Sequence, residues 1–338
     1  MRFCILLNTC MLIYLNTHSQ KMDTVINVVR YPQEMNIAYS QLYVLNSDIG
    51  DITFFDQGHP DKRQYILNAN IIPNFYITPR KWRFNVVLTP IVRVRIIANQ
   101  KSLPVRTPSF NPGGQIYFPI DRTKLTDYKY LSVGYYHHSN GQDGPPLDSI
   151  TGNPNLYNGN FVTNYLVANY HFGKITNRQN NYLRLGLEAH TGLIKTGDEP
   201  AYRDRFGKFR MNYYYAYTRF ARIVNKLMDR NIQERTEVTE EEKYRLVISG
   251  MFILENIEAK WNQYFNTEIK YYRKIQGSEN AAFFGSVGYM GHDYYNIYFY
   301  QPYPFIRIGL AASNAFFYNQ RYRNQQRKVE SINKTLQK

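Results

Sequence analysis

At 338 residues and 40.0 kDa the chain has room for two ordinary soluble domains or for one large barrel in a single piece. It carries 32 Tyr and 20 Phe against 2 Trp, with a mean hydropathy of −0.51 and a formal charge of +15. No run of about 18 apolar residues occurs, which excludes a helical membrane protein. A polar average rich in aromatics suits a membrane β-barrel, where half of each strand meets lipid and aromatic girdles mark both interfaces.

The N-terminus has the form of an export signal. Arg2 precedes the apolar runs Phe3-Cys4-Ile5-Leu6-Leu7 and Cys10-Met11-Leu12-Ile13-Tyr14-Leu15, and small polar residues follow, placing a signal peptide over 1–19 with cleavage near Ser19-Gln20. A buried first helix is the alternative, and neither cysteine stands in a convincing lipid-attachment motif. With Cys4 and Cys10 both in that segment, the mature chain has no thiol for a disulfide, a metal site or a nucleophile. Residues 20–60 read as an N-terminal periplasmic segment that precedes the regular strands and has no legible role.

From about Tyr65 onward strand signals dominate. In Arg83 to Ile96 one face reads Phe84, Val86, Leu88, Pro90, Val92, Val94, Ile96 and the other Arg83, Asn85, Val87, Thr89, Ile91, Arg93, Arg95. Tyr182 to Leu193 sets Leu183, Leu185, Leu187 and Ala189 against Arg184, Glu188 and His190, and Tyr264 to Tyr272 sets Phe265, Ile269 and Tyr271 against Asn266, Glu268 and Lys270. Such strands exceed the usual five or six residues of a soluble sheet, and one charged face beside one apolar face means a polar lumen and a lipid-facing exterior. Further segments are expected at Tyr65 to Thr78, Gly114 to Ile120, Tyr128 to Ser139, Asn160 to Phe172, Phe209 to Arg219, Tyr244 to Ile257, Ala281 to Met290, Tyr294 to Tyr300 and Phe305 to Phe316. The expected fold is therefore an all-β transmembrane antiparallel barrel of about 12 strands over 61–317. Long loops are expected at Gly141 to Gly159 and at Val224 to Lys243, the latter solvated or briefly helical.

A basic tail over 318–338 follows. After Phe316, Arg321, Arg323, Arg327, Lys328, Lys334 and Lys338 stand against Glu330 alone, and the remaining positive excess is dispersed, so anionic lipid headgroups suit this charge better than nucleic acid.

The segment that carries chemistry is Leu131-Ser132-Val133-Gly134-Tyr135-Tyr136-His137-His138-Ser139-Asn140-Gly141. A strand's period puts Leu131, Val133, Tyr135, His137 and Ser139 on one face and Ser132, Gly134, Tyr136, His138 and Asn140 on the other. His137 and Ser139 then share the apolar face about 7 Å apart at Cα, close enough for an imidazole to activate a hydroxyl. Antiparallel return of the next strand brings Asn160 alongside His137 to fix its tautomer and orientation, as Asp, Glu or Asn can. His138 is a rival base whose side chain should point into the lumen.

Here the sequence resembles the bacterial outer-membrane phospholipases A. Their His-x-Ser-Asn-Gly motif is matched by His137-His138-Ser139-Asn140-Gly141, and Ser102 to Pro112 is similar to their Ser-x-Pro-Phe-Arg segment. The resemblance implies a twelve-stranded barrel that hydrolyses phospholipid esters at sn-1 and sn-2, depends on Ca²⁺, and acts as a homodimer in the outer membrane. It makes His137 the general base, Ser139 the nucleophile, Asn160 the residue orienting His137, and the Gly141 N–H an oxyanion donor. It also implies calcium ligands at the Gln142 carbonyl, at a loop hydroxyl for which Ser149 is the choice and Asp148 the competitor, and at Ser102 of a partner. Gln142 stands where the family commonly has Arg, and the loop is longer. The competing classes are a non-enzymatic barrel, such as a channel or structural protein, and a soluble all-β binding protein.

Overall fold

The structure, a computed structural model, describes residues 32–312 apart from 59–64, 80, 98–107, 121–125, 177, 191–205, 229–233, 256–259, 277, 279–280, 296–298 and 300. The expected signal peptide and basic tail, and Ser102, lie outside the described residues.

Among the described residues a helix, α1 (Pro32–Asn46), precedes fifteen strands: β1 (Asp51–Gln57), β2 (Tyr65–Ile71), β3 (Phe75–Ile77), β4 (Asn85–Leu88), β5 (Ile91–Ile97), β6 (Ser109–Asn111), β7 (Gly113–Pro119), β8 (Asp127–Ser139), β9 (Val162–Ile175), β10 (Gln179–Ala189), β11 (Phe209–Met228), β12 (Glu234–Leu254), β13 (Phe265–Lys274), β14 (Ala281–Met290) and β15 (Tyr303–Ala312). All pairings between them are antiparallel, β1 meets β15, and the sheet closes through β8 and β9. Three neighbouring staves are each split by a proline. Pro73 separates β2 from β3, Pro90 separates β4 from β5 and Pro112 separates β6 from β7, as expected of a residue without an N–H to give the ladder. Bonds from Thr89 N to the Gly113 carbonyl and from Thr89 Oγ1 to Asn74 Oδ1 cross the breaks. Counting each split stave once, the chain forms a closed 12-stranded transmembrane barrel.

The faces alternate as the sequence requires. Leu131, Val133, Leu185, Leu187, Ile269, Phe283, Val287, Ile306, Ile308 and Leu310 are exposed on the outside, where lipid covers them, while Asn85, Ser132, Glu188, Arg245 and Arg307 are buried inside. Interior charges pair across the lumen: Arg95 with Asp293 at 2.6 Å, Arg307 with Asp56 at 3.2 Å, and Lys270 with Glu268 at 3.3 Å and Asp51 at 3.8 Å. They leave a polar cavity of about 360 Å³.

A buried cluster lies toward each end of the barrel. At the end with short connections, α1 lies in the mouth with Tyr39, Leu42 and Tyr43 buried against Tyr130 and Tyr117, the Tyr43–Tyr117 centroids 4.5 Å apart. Asn36 donates to the Pro79 and Trp82 carbonyls, and Asn46 joins Tyr128 and Asn180. At the opposite end, Phe161, Phe206, Tyr295 and Phe299 form a second buried cluster.

Several expectations change. The barrel begins at Asp51 rather than 61, because a bulge between Thr53 and Phe55 interrupts the period of two and sends both Phe54 and Phe55 outward. Tyr294 to Tyr300 supplies no strand among its described residues, of which Tyr295 and Phe299 are buried in the mouth cluster. Val224 to Lys243 is not a loop, since β11 and β12 run through it and pair down to Met228↔Glu234.

Candidate active site

Strand β8 carries the site. Burial alternates without a break from Asp127 to Ser139, so Tyr135, His137 and Ser139 share the outer face with Leu131 and Val133, at the end where the connections are long. They stand where the apolar outer row of β8 gives way to polar loop.

Across the ladder His137 faces Asn164, Tyr135 faces Leu166, and Ser139 faces Val162. The Asn164 side chain is 2% exposed, and its Oδ1 lies 2.9 Å from His137 Nδ1 and accepts the Tyr135 hydroxyl at 2.9 Å. A carbonyl oxygen only accepts, so in the neutral imidazole this contact puts the proton on Nδ1 and leaves Nε2 its lone pair, the tautomer a general base needs. The partner of His137 is therefore Asn164, not the expected Asn160. Asn160 belongs to the loop, where its N–H donates to the Gly144 carbonyl at 2.9 Å, because the ladder does not open until the Asn140–Phe161 step. Asn164 shares the face of Val162, Leu166 and Ala168, and a polar residue in that apolar row was the available signal.

Ser139 is half-buried beside Phe110, and among the described residues its hydroxyl has no hydrogen bond. Base and nucleophile thus share a face without a hydrogen bond between them, and in unliganded sites such bonds are often long and tighten around substrate. His138 points into the lumen as expected. It is fully buried, with Nε2 2.7 Å from Ser109 Oγ and 2.9 Å from the Tyr295 carbonyl.

Sequence reading missed the role of Asn140. This fully buried side chain accepts from the N–H of Phe161 at 2.9 Å and of Gln142 at 3.3 Å, and donates to the Gly159 carbonyl at 2.8 Å. It ties the start of the long loop to its end and holds the turn after Ser139. Gly141 adopts φ +64 there, a left-handed conformation that glycine takes without strain.

The loop itself is ordered. Gly144 bridges Gly159, Leu147 bridges Pro154, and Leu147 and Leu156 pack on the mouth cluster. Asp148 Oδ1 accepts the N–H groups of Ile150 and Thr151 and the Thr151 hydroxyl, and these bonds, led by that of the Thr151 N–H, hold its carboxyl below the usual range. Ser149 sits in that exposed turn, beyond the Leu147–Pro154 bridge, and the Gln142 N–H donates to Asn140 Oδ1. Among the described residues no hydrogen bond joins Gln142 to Ser149, and no cluster of three or more His, Cys, Asp or Glu suited to a metal occurs.

No protein-family model matches the sequence, and no curated protein matches it either. Solved structures similar to it include outer membrane phospholipase A from Escherichia coli, at 14% identity over 79% of this chain and 97% of that one with a TM-score of 0.49. An active-site mutant of that enzyme at pH 6.1 is similar at 12% identity, over 88% of this chain and 96% of the other, also with a TM-score of 0.49. The calcium-bound outer membrane phospholipase dimer of Salmonella typhi is similar at 13% identity, over 82% and 98% of the two chains, with a TM-score of 0.48. The barrel assignment rests on strand pairing and not on these likenesses, whose identities and TM-scores assign no activity.

Proposed function

We propose that this chain is an outer-membrane hydrolase of phospholipid acyl esters, with Ser139 as nucleophile, His137 as base and Asn164 as the residue that orients the base. The observation that carries the reading is the outward Asn164–His137 pair on the same lipid-facing strand face as a serine. A catalytic residue turned to lipid suits a substrate dissolved in the bilayer. Against a wide channel stand the buried side chains around α1 and the aromatic cluster at the opposite end, which occupy part of the lumen.

In this mechanism Ser139 Oγ attacks the ester carbonyl as His137 Nε2 takes its proton, and the carbonyl oxygen acquires charge near the Gly141 N–H. Collapse breaks the acyl C–O bond, and the imidazolium gives its proton to the departing lysophospholipid alkoxide. Water, deprotonated by His137, then attacks the acyl-serine and releases fatty acid and free Ser139. Asn164 keeps Nδ1 protonated and stabilises the transient imidazolium.

Hydrolysis at both sn-1 and sn-2, calcium dependence and a homodimeric active form belong to this proposal on the sequence resemblance. For calcium, the Gln142 carbonyl, the Ser149 hydroxyl and Ser102 of a partner are the ligands that the resemblance implies. The test is incubation of purified protein in detergent with phospholipid and Ca²⁺, together with fluorophosphonate labelling. Release of fatty acid and modification of Ser139 are expected. Folded protein that does neither refutes the reading.

A further inference from the structure

Among the described residues, the exposed charges at the two rims of the barrel differ. At the end with short connections Arg83, Lys129, Lys174, Arg178, Arg219 and Arg273 are exposed or half-exposed. The period of two places Lys129 in line with Leu131 and Val133, Lys174 with Tyr170 and Phe172, Arg219 with Tyr215 and Tyr217, and Arg273 with Ile269 and Tyr271, all on the lipid-facing side. Pairing of Gln179 with Arg219 and of Arg219 with Tyr244, which in turn faces Arg273, makes them neighbours around the rim. Among the described residues the one ion pair in this group joins Lys174 to Asp127, at 4.0 Å. At the other rim the exposed acids Asp143, Asp148 and Glu255 face Lys208 and Lys260.

Below the cations lies an aromatic row. Tyr217, Tyr244 and Tyr271 have centroids 6.1 and 5.9 Å apart in succession, and Trp82, 66% exposed, leads through Phe84 to Phe118. Rings at the level of the headgroups, with exposed or half-exposed cations just beyond, match the amphipathic profile of a bilayer surface whose phosphates are negative.

We propose that this rim is a docking belt for anionic phospholipid headgroups, in the leaflet at the short-connection end. It is separate from the candidate active site at the other rim and does not depend on it. The belt sets the depth of the barrel and enriches anionic lipid around it.

The chain has two tryptophans, one at each rim, which makes the test direct. The full-length Trp261→Phe variant, with Trp82 as its reporter, is reconstituted in phosphatidylcholine vesicles containing ether-linked brominated phosphatidylglycerol or ether-linked brominated phosphatidylcholine. Ether linkage keeps the probes intact whether or not the chain cleaves esters. Quenching of Trp82 should reveal an affinity for phosphatidylglycerol about two- to fivefold above that for phosphatidylcholine, removed by high salt. Combining Arg83→Gln with Lys129→Gln should bring the ratio toward unity, and the Trp82→Phe variant, reporting from Trp261, should show no preference. Equal quenching by the two lipids at Trp82, or an equal preference at Trp261, would overturn the belt. Should the double variant not fold, the salt series on the Trp261→Phe chain decides, a salt-insensitive ratio counting against it.

Discussion

Two asparagines divide the task of shaping the candidate site. Asn164 acts on the base and Asn140 on the turn after the nucleophile. Ser139→Ala and His137→Ala should each abolish nearly all fatty-acid release, since nucleophile and base act as one unit. Asn164→Ala should cost about 1 to 3 kcal/mol, or about 5- to 150-fold in rate, because an uncharged amide supplies one hydrogen bond and an orientation. Asn160→Ala should change little. If the asparagines reverse, with Asn160 essential and Asn164 dispensable, the pairing across β8 and β9 is not what orients the imidazole. Asn140→Ala removes three bonds from a buried position, so it should slow labelling of Ser139 by a fluorophosphonate while the protein still migrates as a folded barrel on a gel.

At the scale of elements, strands whose outer and inner rows differ in chemistry were legible, and β8 gave both faces correctly down to His138. Asn160 was chosen because it opens the segment after the loop, yet sequence does not fix where a long loop closes. That register is set by Asn140, through contacts between residues far apart along the chain. Strand β1 hid behind its bulge, and the aromatic run at Tyr294 to Tyr300 looks like a strand because mouth packing and strand packing select the same residues. Helix α1 has scarcely any amphipathic period, since it lies in a lumen that touches it on most sides, so periodicity could not announce it. Its anchor is testable. Tyr43→Ala empties a site packed between Tyr117 and Tyr130 and should destabilise the barrel by about 3 to 5 kcal/mol, read as a lowered thermal transition in detergent. Labelling of Ser139, at the opposite rim, should persist below that transition.

For the whole molecule, a closed barrel with apolar residues around its outside should need detergent or lipid, give a β-dominated circular dichroism spectrum and change its gel migration on heating. A chain that remains soluble and monomeric without detergent would contradict this. Calcium is judged at the same scale: a chelator should suppress hydrolysis and added Ca²⁺ restore it, and full activity in excess chelator would remove Gln142 from any metal role. The outward turn of His137 and Ser139 also governs how rate depends on concentration. A site that meets its substrate within the bilayer plane senses the number of phospholipids per unit of surface, not per unit of volume. Diluting the substrate with an inert amphiphile, at fixed bulk phospholipid, should therefore slow turnover in proportion to its surface mole fraction, whereas adding more vesicles of unchanged composition should leave the rate of already embedded enzyme the same.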